Sequence, residues 1–330
     1  MPASTRPLPF LRGVNFGFLG KRGYLRDPRH AADLERMKAL GIDTVALNIA
    51  FFQETFASTR VFLDVENTPD DLEIVSFTEA CHRAGLKVIL RPVLECWDST
   101  PRMNIQFPPD GIGHLEGVVP RYWEAWFRSF TAAMVHFARL AETTKAFMLS
   151  LNCEMASTEH MEAGWASVVG AVREVYGGQV VYNAFPWGAK REWYRLLDQI
   201  FFSFYAEAPT GIDEQVKMLK GYAEHYHKPV VLGEFGVRSF RKVPEQQTGA
   251  DFNWTGEYDG KRQVDFFNNV LSRVWSEPWC GGALYWKWDE NQDRKNFRGD
   301  PRGDMGLTIQ GKPAEEALRG WFTREDRARL

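Results

Sequence analysis

Long apolar runs are missing from this chain of 330 residues. No stretch approaches the roughly 20 residues that a membrane-spanning helix needs, and the opening MPASTRPLPF has no apolar core of the signal-peptide kind. The expectation is a soluble protein, cytoplasmic or secreted after loss of a signal. Cysteine is sparse: Cys81, Cys96, Cys153 and Cys280 are the only four, without a CxxC spacing, so they read as core thiols and not as a zinc or disulfide framework. HExxH is absent, which disfavours a metal-dependent hydrolase, and so are the GxSxG elbow of serine hydrolases and a GxGxxG following a strand. No metal or cofactor is expected. Charge of one sign is also lacking, because 40 Lys+Arg against 43 Asp+Glu leave a net −3. That balance supplies no field for gathering nucleic acid or an anionic membrane. No obligate protein partner is evident either.

The chain does have enough apolar material, 44% hydrophobic and 14% aromatic, to bury a large core in one domain spanning residues 1–330. Candidate strands alternate with helical patterns eight times. The strands are Gly13 to Gly17, Thr44 to Phe52, Leu86 to Leu94, Ala146 to Leu151, Gln179 to Ala184, Gln199 to Tyr205, Pro229 to Glu234 and Gly282 to Trp288. Most are continuously apolar, as a parallel sheet covered on both faces requires. The helical patterns are Ala31 to Leu40, Asp70 to Ala84, Arg121 to Glu142, Met161 to Tyr176, Arg191 to Leu197, Asp213 to His225, Lys261 to Trp275 and Pro313 to Trp321. Thr68 is expected to cap the second, with Pro69 in its first turn, and Gly41 and Gly85 to close the first and second. Eight βα units in one chain predict a TIM (β/α)8 barrel, with a long loop from Val243 to Asp259 after the seventh strand.

Active sites on that fold gather where strands end. The fourth and seventh candidate strands run into Glu154 and Glu234, and an acid is costly to bury there unless paired, hydrogen-bonded or open to a cleft. Asn15, Arg91, Asn152, Tyr182, Asn183, Tyr205, Trp286 and Trp288 also fall near strand ends and are expected to converge on one mouth. Two carboxyls among aromatic planes and amide or guanidinium donors fit glycoside cleavage, in which one carboxyl stays protonated as acid and the other ionised as nucleophile or base. Glu234 is assigned as nucleophile, because Tyr205 is placed to donate a hydrogen bond that favours its charged form. Glu154 is then the acid and later the base. Trp286 and Trp288 alternate on one face of strand eight, opposite Tyr285 and Lys287, and Trp286 is read as a sugar platform. Trp97 and Trp187 follow strands three and five and line a groove, whereas Trp123 and Trp126 sit in a helical pattern and read as core. Arg91 has two open readings, substrate contact or an ion pair beneath the site. Glu95, Asp98 and Glu207 read as solvated loop acids, and the sequon at Asn253 carries little weight.

Several segments together resemble the clan A glycoside hydrolases, and within them glycoside hydrolase family 113. They are Gly13-Val-Asn15-Phe16, Asn152-Cys153-Glu154-Met155 with Trp165 and Val172 to Gly178, Val181-Tyr182-Asn183, Gly233-Glu234-Phe-Gly236, the Trp-rich eighth strand, and Gly306 to Ala314. The resemblance covers nearly the whole chain. It implies an acid/base at the end of strand four, a nucleophile at the end of strand seven, and a cofactor-free retaining endo-β-1,4-mannanase acting on mannan or glucomannan. The chain departs in one respect: much of the clan has Asn directly before the acid/base, and here Cys153 intervenes. A β-1,4-glucanase or other β-glycosidase of the clan is the first alternative. A non-catalytic carbohydrate-binding barrel is the second.

Overall fold

Each apolar run pairs in parallel with the next, and the last pairs with the first. The computed structural model describes residues 9–109, 121–241, 257–289 and 304–324. Asn253 and nearly all of the 243–259 loop lie outside the described residues. Eight barrel strands, here called one to eight, run Leu11–Phe16, Thr44–Gln53, Lys87–Cys96, Met148–Cys153, Gln179–Ala184, Gln199–Phe204, Val230–Phe235 and Cys280–Tyr285. Strand one closes the ring, with Val14 opposite Val45 of strand two on one side and Tyr285 of strand eight on the other. The expected (β/α)8 barrel is therefore the observed fold. Among the described residues, two short antiparallel additions decorate it: Val61–Phe62 beside the end of strand two, and Phe240–Arg241 against Glu257–Tyr258.

Among the described residues, seven α-helices cover the outside: His30–Ala39, Asp71–Arg83, Tyr122–Thr144, Glu162–Val175, Pro209–Tyr226, Gly260–Val274 and Pro313–Phe322. The fifth helical pattern instead forms a 310 segment, Glu192–Leu196, which turns the indole of Trp193 and the ring of Tyr194 inward. Its first turn is held by the Glu162 carboxylate, which accepts from the backbone N–H groups of Glu192 and Trp193. At the second helix the cap is Asp70, whose side chain accepts from Glu73 N at 2.9 Å, and not Thr68. The Thr68 hydroxyl is already committed, donating to Ala50 O at 2.8 Å. Gly41 and Gly85 follow their helices at φ +79° and +80°, a left-handed conformation that glycine adopts without penalty.

Side chains alternate in and out along each strand, so the barrel interior can be counted in twos. One apolar residue from every strand fills its lower interior: Leu11, Ala46, Ile89, Met148, Val181, Phe201, Val231 and Leu284. Two residues nearer the mouth the same faces carry Asn48, Arg91, Ser150, Asn183 and Ser203, all buried. The interior thus changes from apolar plug to polar floor within one step of the pleat. Buried polar atoms are costly unless hydrogen-bonded, so this floor marks where the barrel stops being scaffold.

Candidate active site

Strands seven and four each depart from the simple count just where a glutamate is needed. On strand seven the register passes from Phe202↔Leu232 to Ser203↔Glu234, so Gly233 is an extra residue and Glu234 turns into the barrel. A bulge re-aims a side chain in this way. Glycine is required there, because a Cβ on residue 233 would lie 2.0 Å from Asn183 Oδ1 and 2.7 Å from Phe201 Cβ. On strand four Ser150 pairs with Val181 but Cys153 with Asn183, again one residue too many. Asn152 and Glu154 there have φ of 110° and 55°, an unusual region for residues with a Cβ. Local bonds fix them. Asn152 Oδ1 accepts from Cys153 N at 2.7 Å, Glu154 N donates to Asn183 O at 2.8 Å, and Met155 N donates to the Tyr182 hydroxyl at 2.9 Å.

Glu234 is 3% exposed and enclosed by donors. Arg91 Nη2 donates to its Oε1, the Cys153 thiol reaches the same oxygen at 3.3 Å, and the Tyr205 hydroxyl donates to Oε2 at 2.5 Å. Arg91 is in turn fixed through Nη1, which donates to Asn15 Oδ1 at 2.7 Å and Gly233 O at 3.2 Å. Asn15 Nδ2 bonds Gly233 O at 3.0 Å, and Asn48 Nδ2 bonds Asn15 Oδ1 at 3.3 Å. Burial, followed by the Glu234 charge, lifts the Tyr205 phenol well above its usual range, so it remains a donor. Burial likewise pushes the Cys153 thiol up to about 12.

Glu154 sits in a different setting. Its carboxyl is raised to about 7, first by burial and then by the Glu234 charge, while Arg102 opposes the rise. Arg102 Nη2 lies 3.3 Å from Glu154 Oε2, and Ser203 hydrogen-bonds the same carboxyl while accepting from Asn183 Nδ2 at 2.8 Å. The site therefore holds one carboxylate surrounded by donors and one carboxyl poised near neutrality. This division of labour is what acid-assisted displacement at an acetal carbon needs. Among the described residues no group of three or more His, Cys, Asp or Glu side chains is placed to hold a metal ion.

Several residues read as substrate contacts lie elsewhere. Tyr182 faces the helices, fully buried against Trp165 and Trp193, and donates to Glu159 Oε1 at 2.8 Å. Its neighbour Asn183 points inward, and adjacent strand residues cannot both do so. Trp288 is also core: strand eight ends at Tyr285, so the alternation stops, and the Trp288 indole donates to Asp33 Oδ1 at 3.0 Å. Asn15, Arg91, Asn152 and Asn183 are all 2% exposed or less. Asn15, Arg91 and Asn183 form the floor under the carboxyls, whereas Asn152 accepts from the backbone N–H groups of Leu94 and Cys153. Arg91 takes the ion-pair reading. At the mouth remain Tyr205, 38% exposed, and Trp286, whose indole lies over the Arg91 guanidinium at 5.9 Å and packs edge-on against Phe18 at 5.0 Å. Trp97, packed on Phe52 at 5.2 Å, and Trp187, stacked on Phe185 at 4.9 Å, are the exposed indoles after strands three and five. Trp126 is buried and donates to Gln53, with Trp123 partly buried beside it.

Sequence reasoning missed Arg102, Ser203 and the contact role of Cys153, and it misread Glu95. Ser203 could have been found by counting two residues on from the inward Phe201. Glu95 is not a solvated loop acid but the partner of Arg102 at 2.6 Å, and Glu207 pairs with Arg262.

The comparisons agree with this geometry. The sequence profile of Glycoside Hydrolase Family 113 matches residues 14–312. No curated protein matches significantly. One similar solved structure is a complex of a GH113 β-1,4-mannanase, 25% identical, with 96% of this chain and 100% of that chain aligned at a TM-score of 0.84. Another is the GH113 β-mannanase AaManA from Alicyclobacillus acidocaldarius in complex with ManMIm. It is 30% identical over 97% of this chain and 99% of that chain, at a TM-score of 0.82. The chain belongs to Glycoside Hydrolase Family 113.

Proposed function

We propose that the chain is a retaining endo-β-1,4-mannanase that cleaves mannan or glucomannan by double displacement. The observation that carries the reading is the contrast between the two strand-end glutamates, Glu234 among donors and Glu154 raised to about 7. The mannanase titles of the family's solved members support the choice of polymer.

In the first step Glu154 gives its proton to the glycosidic oxygen as the C–O bond breaks, and a Glu234 oxygen attacks the anomeric carbon from the other face. A covalent glycosyl ester results. In the second step a water attacks the same carbon, its proton passes to Glu154, and the ester electrons return to Glu234. Asn15, Arg91 and Tyr205 orient the nucleophile, and Asn183 orients Ser203 against the acid. Trp286 offers an apolar face to the CH-rich side of a pyranose, and Trp97 and Trp187 extend that surface along the groove. Every step is supplied by side chains of this chain.

Product analysis on β-1,4-mannan, glucomannan and cellulose oligosaccharides tests this, with anomeric configuration followed by NMR for wild type and Glu234→Ala. Mannan cleavage with retention, absent from the variant, is the expected result. Inversion, or normal turnover by Glu234→Ala, would overturn the mechanism. Preference for cellulose oligomers would move the substrate to β-1,4-glucan, and binding without turnover would point to a non-catalytic barrel.

A further inference from the structure

Arg102 lies in the 310 turn Arg102–Asn104 beyond strand three, with a side chain 13% exposed. Its guanidinium reaches three residues. Nη1 donates to Glu95 Oε1 at 2.6 Å, Nε to Cys153 O at 2.9 Å, and Nη2 to Cys153 Sγ at 3.2 Å and Glu154 Oε2 at 3.3 Å. Only a planar fork with several donors can hold these acceptors together. A buried guanidinium against a proton donor calls for a reason, since a cation there opposes the protonated form that the first chemical step uses.

The second step makes the opposite demand. Water attacks the anomeric carbon, the bond to Glu234 breaks with its electron pair, and the water's proton must find Glu154 already ionised. Esterification has by then neutralised Glu234. The groups facing Glu154 are Glu234 on strand seven, Arg91 on strand three, Ser203 on strand six and Tyr205 just beyond its end, the Cys153 thiol beside it, and Arg102. Of the cations, Arg91 is engaged with Glu234, Asn15 and Gly233 O, and Arg102 touches Glu154 itself.

We propose that Arg102 is a positioning residue that switches Glu154 from acid to base: clamped by Glu95, it fixes the Glu154 carboxyl and supplies the positive charge that favours its ionised form once Glu234 is esterified. The proposal rests on the double-displacement reading above. Glu95 fits the part of clamp. Burial raises its carboxyl, the Arg102 cation holds it down, and the Glu234 charge is the further group acting on it.

Two substrates and three variants test this. On mannopentaose, where departure of the sugar needs an acid, Arg102→Met should move the basic limb of kcat/KM up by about one pH unit or more, the scale of losing an opposite charge at this range. Arg102→Lys should fall between variant and wild type. Glu95→Gln should move the limb down, because the amide oxygen still accepts from Arg102 while the negative charge that offsets the guanidinium is gone. On an aryl β-mannobioside with an activated leaving group, Arg102→Met should release aryl alcohol in a first-turnover burst and then stall, and azide should restore steady turnover by attacking the ester without a base. An unmoved limb in folded Arg102→Met, or equal loss at every pH with and without azide, overturns the proposal. Should Arg102→Met fail to fold, Glu95→Gln decides by the direction of its limb: a fall supports the proposal, and a rise or no movement overturns it. A wild type without covalent turnover would instead overturn the double-displacement reading, and the proposal with it.

Discussion

At the scale of single residues, Glu154 is held in a form that costs the fold something. Its carboxyl is raised from an ordinary value of 4.5 to about 7 by burial and by the Glu234 charge. Between those two values the folded chain binds a proton that the unfolded chain has lost. Stability from this group is therefore fully present below about pH 4.5 and falls as pH rises through about 7. Glu154→Gln removes the penalty. At pH 8 it should stabilise the protein by ~1–3 kcal/mol, a rise in Tm of a few degrees, while abolishing cleavage of unactivated substrates. At pH 4 the Tm of variant and wild type should coincide, and a gain of equal size at both pH values would assign the effect to packing instead. The same arithmetic predicts that wild-type cleavage of mannan oligosaccharides declines as pH rises through about 7, read in a kcat/KM profile. Glu154, Glu234 and Tyr205 were legible in the sequence because a polar group ending an apolar strand has few harmless explanations. Arg102 and Glu95 were not, since a loop arginine and an acid near the end of strand three look solvated until the chain is folded and Arg102 lies between Glu95 and the end of strand four.

At the scale of elements, both glutamates depend on bulges. Without Gly233 as an extra residue, strand seven would keep its count of two from Val231 and direct residue 234 at the helices, as Leu232 and Phe235 are directed. Gly233→Ala should therefore cost more than its small volume implies. The added Cβ meets Asn183 Oδ1 at 2.0 Å and Phe201 Cβ at 2.7 Å, so the strand or its neighbours must move. We expect a loss of ~1–3 kcal/mol from overpacking, with kcat reduced well beyond what the Tm shift accounts for, because Glu234, the proposed nucleophile, directly follows the altered residue. Gly170→Ala is the control. Nothing lies within 4 Å of its added Cβ, and it stands inside a helix, so it should gain up to ~1 kcal/mol with unchanged kcat. The number and order of strands could be read from apolar runs, as could most of the helices, because burial on both faces leaves a continuous hydrophobic record. Bulges leave none. Their register is set by pairing between strands. Tyr182 and Asn183 stand on the regular fifth strand, and there the sequence reading put both on the same side although the pleat separates them. It also carried the alternation of strand eight past Tyr285 to Trp288.

At the scale of the whole molecule, the polar floor ties together strands that are not neighbours. In a ring of eight, strands three and seven stand opposite each other, and Arg91 spans the interior from one to the other while Asn15 joins strand one to the same network. A buried ion pair of this kind need not add net stability, because desolvating both charges offsets their attraction, but removing one partner leaves the other charge uncompensated. Arg91→Met should thus destabilise by ~3–5 kcal/mol in denaturant titrations. If the span acts chiefly through charge, Glu234→Gln in the Arg91→Met background should restore a large share of that loss, since the orphaned carboxylate is what the interior cannot accommodate. If instead the guanidinium acts mainly by filling the floor and holding Asn15 Oδ1 and Gly233 O, the two changes should add independently. A double-mutant cycle separates these cases, and a coupling energy near zero would mean that the barrel is braced by shape and not by the pairing of Arg91 with Glu234. The coupled outcome is favoured by burial: Arg91 and Glu234 are 2% and 3% exposed, where solvent screens little and a lone charge has no water to turn to.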